Sequence, residues 1–73
     1  MKEQIKTLLS EALPAVDFES DFLFSELDSI GVSTIIILLS QKYNIELTHT
    51  DMTPKNLRSL DAIVKMVESK LNK

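Results

Sequence analysis

The sequence predicts a small all-α domain: a four-helix bundle of three long helices and one short one, with a long loop between the first two. Three observations predict it. Apolar residues recur at helical spacing near both ends of the chain, and a proline-free stretch runs from Ser29 to Tyr43. One glycine and two prolines leave few of the turns that an all-β fold needs. At 73 residues the chain has material for one domain, 1–73, with a small core.

Met1 to Leu13 places Ile5, Leu8, Leu9 and Ala12 at i, i+3, i+4 and i+7, one face of a helix. Pro14 ends that helix, because its ring biases the preceding residue away from helical geometry. Ala15 to Asp28 follows no single period. It carries Asp17, Glu19, Asp21, Glu26 and Asp28 without a basic residue, interleaved with Phe18, Phe22, Leu23, Phe24 and Leu27. This reads as a long ordered loop whose aromatic residues plug the core while its acids stay in water. Loops of that length tend to be functional.

The aliphatic run Ile35 to Leu39 would suit a buried strand, but the uninterrupted stretch around it is too long for one and favours helix. At 100° per residue, Val32, Ile35, Ile36, Leu39 and Tyr43 face inward, while Ser33, Thr34, Ile37 and Gln41 face out with Leu38 on the flank. Asn44 to Thr50 is a connector that turns Ile45 and Leu47 inward. Thr53-Pro54 reads as an N-cap followed by proline at the first helical position, opening a short helix through Leu57. Ser59 caps the closing helix, with Asp61 near its positive end. That helix buries Leu60, Ile63, Val64, Val67 and Leu71, leaving Lys65, Lys70 and Lys73 outside.

Charge and composition exclude several functions. Eight basic against eleven acidic residues, a formal charge of −3, give no footprint for nucleic acid. The absence of cysteine excludes disulfides, thiolate zinc sites and a thiol nucleophile of the chain's own. No run is apolar enough for a signal peptide or a bilayer span, so the expectation is a soluble, cytoplasmic monomer without membrane insertion. His49 is the only histidine and reads as a solvated loop residue. Asp17, Glu19, Asp21 and Asp28 echo a calcium loop, but Phe22 stands where that loop needs glycine, and the last place lacks glutamate. No acid–base or nucleophile–base pair assembles, so neither an enzyme nor a metal site is expected.

Leu27-Asp28-Ser29-Ile30 joins the acidic loop to the central helix. Alone, these residues read as a helix cap, and the chain as a small helical interaction module. The wider pattern resembles the acyl carrier protein family, whose members carry Asp-Ser-Leu at the start of their second helix. Asp28-Ser29-Ile30 matches with a conservative change at the third place. The likeness extends from Phe22 through Tyr43-Asn44-Ile45-Glu46-Leu47 and into the segment from Thr53 to Ile63.

That resemblance implies that Ser29 is esterified by the 4'-phosphopantetheine arm of coenzyme A through a phosphopantetheinyl transferase. Asp28 would assist the transferase's metal ion. The arm's thiol would carry acyl, aminoacyl or ketide groups as thioesters to acyl-loading and acyl-processing enzymes. Leu8, Leu9, Ile36, Leu39, Ile63 and Val67 would part to shelter an acyl chain. Family second helices usually expose acids, whereas the matching outward positions here are Gly31, Thr34, Ser40 and Gln41, and the glycine usual before the motif is missing. These departures point to a specialised pathway rather than fatty-acid synthesis. Partner contact is expected on Ile30, Thr34, Ile37, Leu38 and Gln41, with apolar docking through Ile37 in place of charge pairing.

Overall fold

The structure, a computed structural model, describes residues 1–72. Among them it contains α1 (Lys2–Ala12), a single turn α2 (Leu23–Glu26), α3 (Ser29–Tyr43), a 3-10 turn (His49–Asp51) and α4 (Leu60–Leu71), with no strand. The all-α bundle is therefore present, and α1 packs against both α3 and α4. Its centre is the stripes read from the sequence: Ile5 and Leu9 of α1, Ile35 and Leu39 of α3, Ile63 and Val67 of α4, all fully buried. Phe18, Leu47 and Leu57 close the core from the connecting segments.

Local chemistry sets the helix ends. The helical run of α1 stops just before Pro14, with Leu13 already off helical geometry at φ −129° and ψ 69°. Asn44 ends α3 in the left-handed region at φ 53° and ψ 47°, which its short polar side chain tolerates, and its N–H donates to the Ser40 carbonyl. The Ser59 hydroxyl accepts the Ala62 N–H at 3.3 Å to cap α4.

Several expectations are corrected. The segment from Ala15 to Asp28 is not all loop, because α2 interrupts it. Only Phe18 among its aromatics plugs the core; Phe22 is 77% exposed and Phe24 is exposed as well. One turn of helix turns a single residue inward, and here that residue is Leu23, so its neighbours in sequence point elsewhere. The Leu23 N–H donates to the Arg58 carbonyl at 3.0 Å, tying α2 to the entry of α4.

The helix expected from Thr53 to Leu57 is one capped turn. Thr53 Oγ1 accepts the Asn56 N–H at 3.1 Å and its carbonyl accepts the Leu57 N–H at 3.0 Å, but Ser59 is already extended to cap α4. Helical hydrogen bonding occurs instead at His49–Asp51, where the Asp51 carboxylate accepts the Thr48 N–H at 3.0 Å. That hydrogen bond, with Lys70 at 3.1 Å, holds the Asp51 carboxyl below its ordinary range.

Leu71, the last residue of α4, is exposed, and Met66 is buried in the core in its stead. Ala12, the last residue of α1, is exposed as well. Of the lysines on α4, Lys65 is exposed and Lys70 is paired with Asp51, while Lys73 lies outside the described residues. No helix among the described residues is long and apolar enough to cross a membrane.

Candidate functional site

The site is built where the acidic segment enters α3. Leu27 and Asp28 are extended, at φ −99°, ψ 132° and φ −100°, ψ −176°. Asp28 is the N-cap: its Oδ1 accepts the Gly31 N–H at 2.7 Å, and its carbonyl accepts the Val32 N–H at 2.9 Å. Ser29 follows as the first helical residue and is exposed. The capping role that Ser29 could have held is thus taken by Asp28, which leaves the serine hydroxyl without a duty in the helix. At this position the backbone N–H groups of the first turn and the helix dipole favour an anion.

Gly31 was expected to face outward, yet it is buried. A Cβ there would sit 3.4 Å from Leu27 Cδ2 and Asp28 Oδ1 and 3.9 Å from Leu13 Cδ1, ordinary contact distances, and its φ is negative. Gly31→Ala is therefore expected to stabilise the protein by about 0.4–1 kcal/mol, chiefly by restricting the unfolded chain, as urea melts of the two proteins would show. The sequence consequently forgoes stability at the floor of the site. Ser40 was also expected outside, but its hydroxyl is buried without a hydrogen-bond partner among the described residues.

Beside Ser29 lies a groove of about 320 Å³, missed by sequence reasoning. Leu13, Pro14 and Val16 form one wall, and Leu27, Ile30 and Gly31 form the other. The walls are held in register: the Asp17 N–H donates to Glu26 Oε1 at 3.0 Å across the loop, and the Val16 N–H donates to the Leu13 carbonyl at 3.1 Å.

Along α3 from Ser29, Ile30 and Ile37 stand seven residues apart, two turns on one face, and are 72% and 54% exposed. Thr34 lies between them, half-buried, with its hydroxyl donating back to the Ile30 carbonyl at 2.8 Å. Gln41 is exposed further along, while Leu38 is half-buried and packs against the core. Glu19 is engaged by Lys6 of α1, whose ammonium holds the Glu19 carboxyl below its ordinary range. Asp17, Asp21, Glu26 and Asp28 stay exposed, with no basic residue in their segment. His49 is exposed on the 3-10 turn, and among the described residues no three acidic or histidine side chains converge as metal ligands. Leu9, Leu39, Ile63 and Val67 form closed core here, with Leu8 and Ile36 at its margin.

Two of these features suit a covalently attached anionic arm: an exposed serine hydroxyl at a helix N-terminus, and an open groove with a glycine floor beside it. Comparison with known proteins agrees. Searches of curated proteins and of solved structures each returned no match. A family model described as phosphopantetheine attachment site matches residues 1–67. Members of that family carry 4'-phosphopantetheine covalently on a serine and act as carriers rather than catalysts. With most of its length inside that match, the chain belongs to the phosphopantetheine attachment site family of carrier domains.

Proposed function

We propose that the chain works as one carrier domain, 1–73, with Ser29 as its attachment serine. The observation that carries this is the accessibility of the serines within the matched segment. Ser10, Ser20, Ser33, Ser40 and Ser59 are all partly buried. Only Ser25 and Ser29 are exposed, and the Ser25 hydroxyl donates to the Phe22 carbonyl at 2.7 Å. Ser29 alone combines exposure with a place at the head of a long helix. In the attachment reaction its Oγ forms a bond to phosphorus and loses its proton. The phosphoanhydride bond of coenzyme A breaks, and the nucleotide half leaves. Asp28, adjacent and exposed, assists the metal ion of the transferase; the acidic segment before it steers a basic partner to the site.

Once attached, the arm supplies a terminal thiol that holds an acyl, aminoacyl or ketide group as a thioester. The chain itself, having no cysteine, offers no competing thiol. The exposed side of α3, which carries no acid and presents Ile30 and Ile37, favours loading and processing enzymes of a specialised pathway over fatty-acid partners that read acidic helices. Ile30 and Ile37 form the contact stripe, with Thr34, Leu38 and Gln41 beside them. Ile37→Glu is expected to lower the kcat/KM of the loading enzyme about fivefold or more, the effect of losing a contact worth ~1 kcal/mol, with an unchanged thermal melt. Unaltered loading would remove Ile37 from the interface.

The reading is tested by intact mass after incubation with coenzyme A and a broad-specificity phosphopantetheinyl transferase. A gain of one arm, localised by fragmentation to Ser29, is the expected result. No gain, or an arm on Ser25, overturns it.

A further inference from the structure

The groove between the end of α1 and the head of α3 shares Asp28 with the attachment site and Ile30 with the contact stripe, but its remaining walls, Leu13, Pro14, Val16 and Leu27, have no role in either. We propose that it seats the arm itself, specifically the branched, geminally methylated segment next to the phosphate; the inference rests on Ser29 as the attachment point. Position is the first argument. Asp28, Ile30 and Gly31, which flank Ser29, all line the groove, so the part of the arm nearest the phosphate cannot stray far from it.

Chemistry is the second. Leu13, Pro14, Val16, Leu27 and Ile30 offer apolar walls for the methyl groups, and Glu26 and Asp28 stand at the rim as acceptors for the arm's hydroxyl and amide N–H groups. Size is the third: about 320 Å³ is enough for a short chain segment carrying two methyl groups. A single flexible chain fits. The lack of a side chain at Gly31 leaves room for it, and the Glu26 link to Asp17 holds the loop in place against α2 before it arrives.

A weak seat is enough. A short tether supplies an effective concentration of roughly 1 mM, so a groove with millimolar affinity is filled about half the time and still releases the arm to a partner.

The test uses isotope-labelled holo-protein whose arm has been confirmed by intact mass. Cross-peaks between the geminal methyls and the methyls of Leu13 and Val16 are expected, and Gly31→Ala should weaken them at least twofold without lowering the melting temperature. Contacts confined to residues 28–31, or made along α3 and α4 instead, overturn the proposal. So do groove shifts that appear only when a partner enzyme is added, which would make the groove a seat for a partner's side chain. Free pantetheine titrated to ~10 mM into unmodified Ser29→Ala protein reads the groove separately, tenfold above the tethered concentration. Shifts at Val16, Leu27 and Gly31 support the seat, and their absence overturns it. Failure of the arm to attach in the wild type would instead count against Ser29, and the titration would still judge the groove.

Discussion

Ser29→Ala is expected to abolish attachment of the arm outright, with no mass gain under conditions that convert the wild type fully. Stability should stay within about 0.5 kcal/mol of the wild type, the range for exposed positions free of special roles. Both halves follow from one arrangement. The side chain at the first position of α3 is exposed, and the cap belongs to Asp28 through its 2.7 Å hydrogen bond from Gly31. Alanine is also the most favourable helix residue, so the start of α3 loses nothing in propensity. Intact mass and urea melts on the same preparations separate chemistry from folding. A residual mass gain would move the attachment point, with Ser25 the first place to look, since it is the other exposed serine in the matched segment.

Those parts of the fold governed by repetition were legible in the sequence. Ile5 with Leu9, Ile35 with Leu39, and Ile63 with Val67 repeat at helical spacing, and burial of that spacing is what holds the bundle together. The Asp28 cap was legible too, because capping is local chemistry between residues three apart. What sequence reasoning missed depends on neighbours distant in the chain. A single turn such as α2 has no period to detect, so the outward positions of Phe22 and Phe24 follow only from where Leu23 docks. A helical wheel treats every position along the axis alike, yet Ala12 and Leu71, the last residues of α1 and α4, are exposed. The cap chemistry of Thr53 was recognised correctly, but the early capping of α4 by Ser59 limited its helix to one turn. The groove is the clearest case, since residues 12–16 and 26–31 meet only after the loop has returned across the end of α1.

Leu23→Ala is expected to cost about 2–5 kcal/mol in folding, the range for a buried leucine truncated in a packed core. A domain of 73 residues has ~4–11 kcal/mol in total, so the loss is a large share of it and should lower the melting temperature by upwards of ~8 °C. Ile63→Ala, also at a fully buried position, belongs to the same class of global loss. The two should differ in where the damage falls. Four residues cannot hold a helix by themselves, so α2 stays formed through the Leu23 side chain in the core and the Leu23 N–H on Arg58. Loosening that anchor frees the segment that leads into Asp28 and Ser29 and carries the Glu26 end of the link to Asp17. Hydrogen exchange in Leu23→Ala should therefore show the amides of Leu23 and Leu27 losing protection beyond the drop at Ile63 and Val67, and arm attachment slowing at temperatures where the bundle is still folded. In Ile63→Ala the loss should be even across the chain, with attachment unchanged while the protein remains native. A cost below ~1 kcal/mol for Leu23→Ala, or equal exchange in the two variants, would mean that α2 is held by something other than its one buried leucine.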